Sequence, residues 1–168
     1  FSALVDFSSN VATPKPHGKL LEHLAKKAAV VANYPEPHAQ SLRRKLAFHH
    51  DVNPNQIIVT NGSTEAFYLC AAAYRQQRSV VFVPSFSEYE DACRMNGHQL
   101  DFLPVGEFNK PFETIPDLVW LGNPNNPDGH VTSLEQIEEK LDAHPQTLFI
   151  IDEAYGELCS AFESAAPL

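Results

Sequence analysis

The sequence lacks the residue patterns on which several common binding sites depend. Its seven glycines are widely spaced, no two within six positions of each other, so neither the GxGxxG loop of dinucleotide-binding proteins nor the Walker phosphate loop is present. The eight histidines include no HExxH pattern, which argues against a zinc peptidase. The three cysteines are odd in number, far apart and without a CxxC pair. We therefore expect no disulfide framework or cysteine zinc site, and a reducing, cytoplasmic location.

Long apolar runs and an excess of positive charge are also missing. Apolar runs such as Ala71–Tyr74 and Val80–Pro84 are far too short to cross a bilayer. Twelve Lys and Arg against 21 Asp and Glu give a net charge of -9, the wrong sign for neutralising a phosphate backbone. The expected partners therefore include neither a membrane nor nucleic acid. Apolar residues make up 43% of the chain, which is typical of a globular domain.

Hydrophobic periodicity predicts short strands that alternate with amphipathic helices. The predicted strands are Val5–Phe7, Ile57–Val59, Val80–Val83, Gln99–Leu103, Leu118–Leu121 and Leu148–Ile151. The predicted helices are His17–Ala32, Ser41–His50, Ser63–Tyr74, Ser87–Met95 and Leu134–Leu141, with capping boxes at Ser87/Glu90 and Ser133/Gln136. This alternation indicates an α/β fold, a mostly parallel sheet with helices on both faces. We expect residues 1–55 to form an N-terminal arm and helices, and residues 56–168 to begin a larger sheet domain.

Polar and aromatic motifs follow four of the predicted strands. They are TNGSTE at 60–65, PSF at 84–86, GNPNNPDG at 122–129 and DEAY at 152–155. Because ligands of open parallel sheets bind beyond the carboxyl ends of the strands, these motifs predict one shared ligand site.

Each motif taken alone leaves two interpretations open. Gly62, Ser63 and Thr64 could bind a phosphate at a helix N-terminus or form a plain N-cap. Asp152 could meet a protonated ligand nitrogen, since a carboxylate at the end of a buried strand needs a partner, or it could cap a loop. Phe86 could contact a ligand or belong to the core.

The ordered set TNGSTE, PSFSEYE, NPNNPDG and DEAY resembles the aminotransferase class I and II family, the fold-type-I enzymes that use pyridoxal phosphate. DFSSN at 6–10, YPEP at 34–37 and PSFSEYE at 84–90 are similar to the branch that holds histidinol-phosphate aminotransferase and threonine-phosphate decarboxylase. The resemblance covers nearly the whole chain but only the first half of such an enzyme. It implies the three-layer, mostly parallel large domain of fold type I.

The resemblance also implies a role for each matching residue. Gly62, Ser63 and Thr64 would hold the cofactor phosphate, and Phe86 would stack on the pyridine ring. Asn126 and Tyr155 would contact the phenolic oxygen of the cofactor, and Asp152 would contact the pyridinium nitrogen. In a homodimer, Tyr34 would contact the cofactor phosphate of the neighbouring subunit. Asn10 would lie near the substrate carboxylate. Asp152 and Tyr155 would be the catalytic residues of this chain. Asp128 departs from the family pattern NPTG.

The family's Schiff-base lysine lies beyond the DEAY strand, and none of the seven lysines of this chain follows a serine at the SxxK spacing. We therefore expect the chain alone to be an inactive part of a cytoplasmic aminotransferase that acts on a small amino acid or amino-acid phosphate. Three alternatives stay open. They are a threonine-phosphate decarboxylase-like enzyme, a non-catalytic fragment or interaction domain, and a doubly wound domain for another phosphate ligand.

Overall fold

The computed structural model of the chain describes Asn10 and residues 17–168, and the predicted strand Val5–Phe7 lies outside the described residues. The chain divides into two compact units, Phe1–Ala39 and Gln40–Leu168. This division differs from the expected boundary near residue 55, which stays a prediction about the whole protein. None of the helices in the described part of the chain is long and apolar enough to cross a membrane.

Within its described residues, the first unit contains one α-helix, α1 (Gly18–Lys27), which a 3-10 segment extends over Ala28–Ala32. The prediction of a continuous helix from His17 to Ala32 is therefore correct in place, but the helix tightens after Lys27. The apolar residues Leu20 and Leu24 of α1 are more than half exposed.

The second unit follows the predicted alternation of helices and strands. Its helices are α2 (Gln40–His50), α3 (Gly62–Ala73), α4 (Ser87–Met95) and α5 (Leu134–Ala143). Its strands are β1 (Arg78–Val83), β2 (Gln99–Pro104), β3 (Leu118–Gly122) and β4 (Leu148–Asp152). Three short 3-10 turns lie at Pro54–Gln56, Val105–Glu107 and Gly156–Leu158.

The four strands form one sheet in the order β2-β1-β3-β4, and every pair is parallel. From β1 the chain passes through α4 to β2 on one side, whereas from β3 it passes through α5 to β4 on the other. The direction of winding therefore reverses between β1 and β3. In parallel α/β sheets this reversal opens a crevice at the carboxyl ends of the two strands.

Alternating side chains of the two central strands build a core on each face of the sheet. On one face Val81, Leu118 and Trp120 pack with Phe67 of α3 and Ala92 of α4. On the other face the core residues are Val80, Phe82, Val119 and Leu121, with Ile137 of α5 and Val105 and Phe108 of the connection after β2. The predicted α/β fold with helices on both faces is confirmed.

Two local predictions are wrong. Ile57–Val59 has no strand partner in the sheet of the described residues, and Ile58 is 82% exposed. An apolar run can reveal the tendency to be extended, but a strand also needs a neighbour for its backbone hydrogen bonds. The capping box at Ser87 is absent because Phe86 occupies the N-cap position and Ser87 is already helical. The other box is confirmed, with the Ser133 hydroxyl accepting from the backbone N–H of Gln136.

Candidate functional site

A cleft of about 110 Å³ lies at the carboxyl ends of β1, β3 and β4, beside the start of α3. It is lined by Ser63, Thr64, Phe86, Tyr89, Pro124, Asn126, Asp152, Ala154 and Tyr155. Six of these are predicted site residues, brought together from four separate motifs. Its position is that of the switch point, where the loops after β1 and β3 diverge.

The N-terminus of α3 forms one wall of the cleft. Gly62 opens the helix with φ +77°, a left-handed conformation that favours glycine, while the space around it is open. Asn61 is the N-cap residue and makes no side-chain capping bond. Ser63 and Thr64 lie within the first turn, so the plain N-cap interpretation is wrong for them. The uncapped N–H groups and two hydroxyls give this wall the donors that bind an anion.

Asp152, the last residue of β4, also lines the cleft. Its Oδ1 accepts a hydrogen bond from the backbone N–H of Ala154 at 3.0 Å, and its Oδ2 accepts one from the Tyr89 hydroxyl at 2.6 Å. The first bond shows that Asp152 does cap its own loop, as the simpler interpretation held. No ion pair of the described residues includes Asp152. Its charge therefore remains available to a cationic group in the cleft.

Tyr89 is the site residue that the sequence analysis missed. Burial, followed by the hydrogen bond to Asp152 and the charge of that carboxylate, raises the pKa of Tyr89 far above its usual value. The hydroxyl therefore stays protonated and acts as a donor. The spacing to Phe86 could have revealed it, because residues three apart at the start of a helix share a face.

Phe86 contributes both to the core and to the cleft. Its ring meets the rings of Phe67 and Tyr89 edge-on, with centroids 6.4 and 6.0 Å away. It is only partly buried and lines the cleft on its remaining surface. The two interpretations left open for Phe86 are thus compatible, since packing against the aromatic core holds the ring in place for a ligand.

The loop after β3 is tied down by side-chain amides. Buried Asn125 donates from Nδ2 to the carbonyl of Pro84 at 2.8 Å and to Oδ1 of Asp128 at 2.7 Å. Oδ1 of Asp128 also accepts from the backbone N–H of His130 at 3.0 Å. These bonds, the backbone one first, lower the pKa of Asp128. They join the loops after β1 and β3, and so fix Asn126 at the cleft.

The remaining predicted residues lie in the first unit. Tyr34 is fully exposed there, and Asn10 is exposed as well. Their roles stay predictions.

A cleft at the switch point of a parallel sheet, lined by the N-terminus of a helix, is typical of α/β proteins that bind a phosphate-bearing ligand. The model of one family, aminotransferase class I and II, matches residues 3–168. The chain therefore belongs to this family, whose enzymes use pyridoxal phosphate.

Three relatives show how far the similarity extends. Histidinol-phosphate aminotransferase of Halalkalibacterium halodurans is 33% identical over 153 residues, which cover 85% of this chain and 42% of that protein. The structure of L-threonine-O-3-phosphate decarboxylase from Porphyromonas gingivalis is 41% identical with a TM-score of 0.83, over 87% of this chain and 47% of that one. Histidinol-phosphate aminotransferase from Sinorhizobium meliloti, solved in complex with pyridoxal-5'-phosphate, has a TM-score of 0.77 and 22% identity, over 88% of this chain and 44% of that one.

The chain thus spans less than half the length of each of these relatives. The fold-type-I architecture expected from the motifs is confirmed by the superpositions.

Proposed function

We propose that the whole protein is a pyridoxal-phosphate-dependent aminotransferase that acts on a small amino acid or amino-acid phosphate, similar to histidinol-phosphate aminotransferase. One observation supports this proposal most directly. A single cleft brings together a helix N-terminus without a side-chain cap, an aromatic ring and a carboxylate that forms no ion pair among the described residues. When bound, the cofactor supplies a conjugated pyridinium ring that withdraws electrons from the α-carbon of an amino acid.

The donor set of the cleft fits this cofactor at both of its ends. The start of α3 offers N–H groups and the hydroxyls of Ser63 and Thr64 to a phosphate dianion, with Gly62 permitting the turn. Asp152 offers a carboxylate oxygen to a protonated ring nitrogen, and an opposite charge nearby favours that protonation. Phe86 would pack against the ring, a contact that contributes about 1 kcal/mol.

Two further residues of the cleft complete the proposed set. Asn126 and Tyr155 would hydrogen-bond the phenolic oxygen, while Asp152 and Tyr155 would be the catalytic residues of this part of the protein. None of the described lysines lines the cleft. We accordingly propose that the lysine for covalent attachment lies outside this chain, and that the chain alone is inactive.

The assembly proposed for the whole protein follows the family resemblance. A cytoplasmic homodimer would place Tyr34 at the cofactor phosphate of the neighbouring subunit and Asn10 near the substrate carboxylate. Residues 56–168 would form the first part of the cofactor domain, preceded by the arm and helices of residues 1–55.

A second candidate function is the decarboxylation of an amino-acid phosphate such as O-phospho-L-threonine. The observation in its favour is the 41% identity to the Porphyromonas gingivalis decarboxylase, higher than to the aminotransferases compared above. Both reactions need the same electron withdrawal, and they differ in which bond of the α-carbon is broken.

One experiment separates the candidates. The whole protein is incubated with pyridoxal phosphate, a 2-oxo acid, and either L-histidinol phosphate or O-phospho-L-threonine, while amino transfer and carbon dioxide are measured together. Amino transfer supports the first candidate, and release of carbon dioxide without transfer supports the second. A protein that binds the cofactor and does neither would refute both candidates for these two substrates.

The role of Asp152 is tested in the same assay. We expect Asp152→Ala to lower turnover far more than cofactor occupancy, because the carboxylate acts chiefly on the ring nitrogen. The exposed aspartate Asp142 of α5 provides the matched control, Asp142→Ala. Equal losses of turnover and occupancy would contradict the role.

A further inference from the structure

Tyr89 is held in a fixed position under the cleft. It lies in the first turn of α4 and is 2% exposed. Its ring stacks on Trp120, with centroids 6.0 Å apart and an angle of 25°, and meets Phe67 edge-on at 5.0 Å. Phe86 contacts a third side. A ring enclosed in this way has no room to rotate away, so its hydroxyl is aimed at one place.

Gly122 leaves that place open. It is the last residue of β3 and pairs directly with Asp152 in the sheet. A Cβ on Gly122 would lie 3.3 Å from the Tyr89 hydroxyl oxygen and 3.0 Å from Oδ1 of Asn125, both tighter than ordinary contacts. The absence of a side chain at this position therefore lets the hydroxyl reach past β3 to the end of β4.

The hydroxyl completes the set of donors that orient the Asp152 carboxylate. One carboxylate oxygen is bound by Ala154 of the same loop, and the other is bound by Tyr89, which belongs to a different element of the fold. Two donors on two oxygens fix the plane of the carboxylate, whereas one would leave it free to rotate. Because a phenol carries no charge, this support leaves the negative charge of Asp152 uncompensated.

We propose that Tyr89 is a positioning residue. Its hydroxyl holds the Asp152 carboxylate in the orientation that accepts a hydrogen bond from a protonated ring nitrogen in the cleft, and Gly122 leaves room for that hydroxyl because it has no side chain. The identity of the ligand in this inference rests on the proposed function, whereas the hydrogen bond between Tyr89 and Asp152 does not depend on it. Burial and the hydrogen bond to Asp152 raise the pKa of Tyr89 far above its usual value, so the phenol is a donor at neutral pH.

The first test needs no cofactor. The carboxyl carbon of Asp152 is observed by NMR in this chain labelled with ¹³C-aspartate, and its resonance is assigned by its loss in Asp152→Asn. We expect Tyr89→Phe, which keeps the ring and removes only the hydroxyl, to displace this resonance. Tyr68→Phe is the matched control, because the Tyr68 hydroxyl donates to Glu88 instead. An unmoved resonance in Tyr89→Phe would overturn the proposal.

A second variant keeps the test valid if Tyr89→Phe does not fold. Gly122→Ala retains the hydroxyl but crowds it. We expect this variant to displace the Asp152 resonance too, and a resonance at the wild-type position in folded Gly122→Ala overturns the role given to Gly122.

The third test uses the whole protein with its cofactor. A misoriented Asp152 weakens its own hydrogen bond to the ring nitrogen in the transition state, and the loss of a hydrogen bond to a charged group there lowers kcat by about tenfold. We expect that fall for Tyr89→Phe with KM changed by less than about twofold, and no change for Tyr68→Phe. An unchanged kcat overturns the positioning role. If the wild-type protein itself shows neither reaction, the proposed function fails, whereas the carbon resonance still decides whether Tyr89 orients Asp152.

Discussion

Replacing Asp128 by alanine tests how the loop after β3 is held at the cleft. The substitution removes Oδ1, which accepts hydrogen bonds from Asn125 and from the backbone N–H of His130. Because Asp128 is exposed, the bonds to its charge are screened by solvent and together contribute about 1 kcal/mol. Asn125 is 4% exposed and would lose one of its two acceptors, which costs about 1 kcal/mol more. We expect a loss of about 1–2 kcal/mol, or roughly 2–8 °C in Tm.

The pH dependence of this loss identifies its cause. The pKa of Asp128 is lowered in the folded protein, so its stabilisation is fully present above the pKa of the unfolded chain. This stabilisation is lost as the pH falls through the lower pKa that Asp128 has in the folded state. The difference between wild type and Asp128→Ala should therefore be constant near pH 7 and narrow progressively below about pH 4.

The assay is urea unfolding followed by circular dichroism across this pH range. Asp142→Ala, on an exposed aspartate of α5, serves as the control and should change stability by less than about 0.5 kcal/mol. Asp128→Asn keeps an acceptor oxygen without the charge, and should fall between wild type and Asp128→Ala with no narrowing in acid. A difference for Asp128→Ala that does not change with pH would refute the reasoning, because the charge of Asp128 would then play no part.

Two further predictions concern stability. Gly62→Ala should destabilise the chain by about 1 kcal/mol, because φ at this residue is +77°. The control Gly18→Ala, at the start of α1, should be neutral or stabilising. Equal effects of the two substitutions in urea unfolding would contradict the conformational argument. Lys140 is 5% exposed, and desolvation lowers its pKa in the folded state. The folded state therefore loses the proton first, and wild type should gain stability relative to Lys140→Met as the pH rises toward the ordinary lysine pKa of about 10. If the difference in Tm between wild type and Lys140→Met did not change with pH, the burial of the Lys140 charge would not be destabilising.

Part of the fold could be predicted because its information is local. The strands β1, β3 and β4 and the helix α4 were placed correctly, since an apolar run or a helical period is complete within about ten residues. The run Ile57–Val59 has the same local character and is not a strand. Strand formation there depends on a neighbouring backbone, which no local pattern contains.

The candidate site divides in the same way. Residues such as Ser63, Phe86 and Asp152 directly follow strands or begin helices, so the rule for parallel sheets was enough to bring them together. Tyr89 was not found, because its hydrogen bond to Asp152 joins residues 63 positions apart. Asp128 had no explanation in the sequence, and the structure supplies one through Asn125.

The sequence by itself determined the α/β class, the order of the motifs after the strands and the family they resemble, all of which depend on short stretches of chain. Only the tertiary structure decided the strand order β2-β1-β3-β4, which opens the cleft between β1 and β3. It also decided that Gly122 lets Tyr89 reach Asp152. The physical reason is that contacts between distant segments form only when the whole core packs, and then distances of a few tenths of an ångström determine which side chains meet.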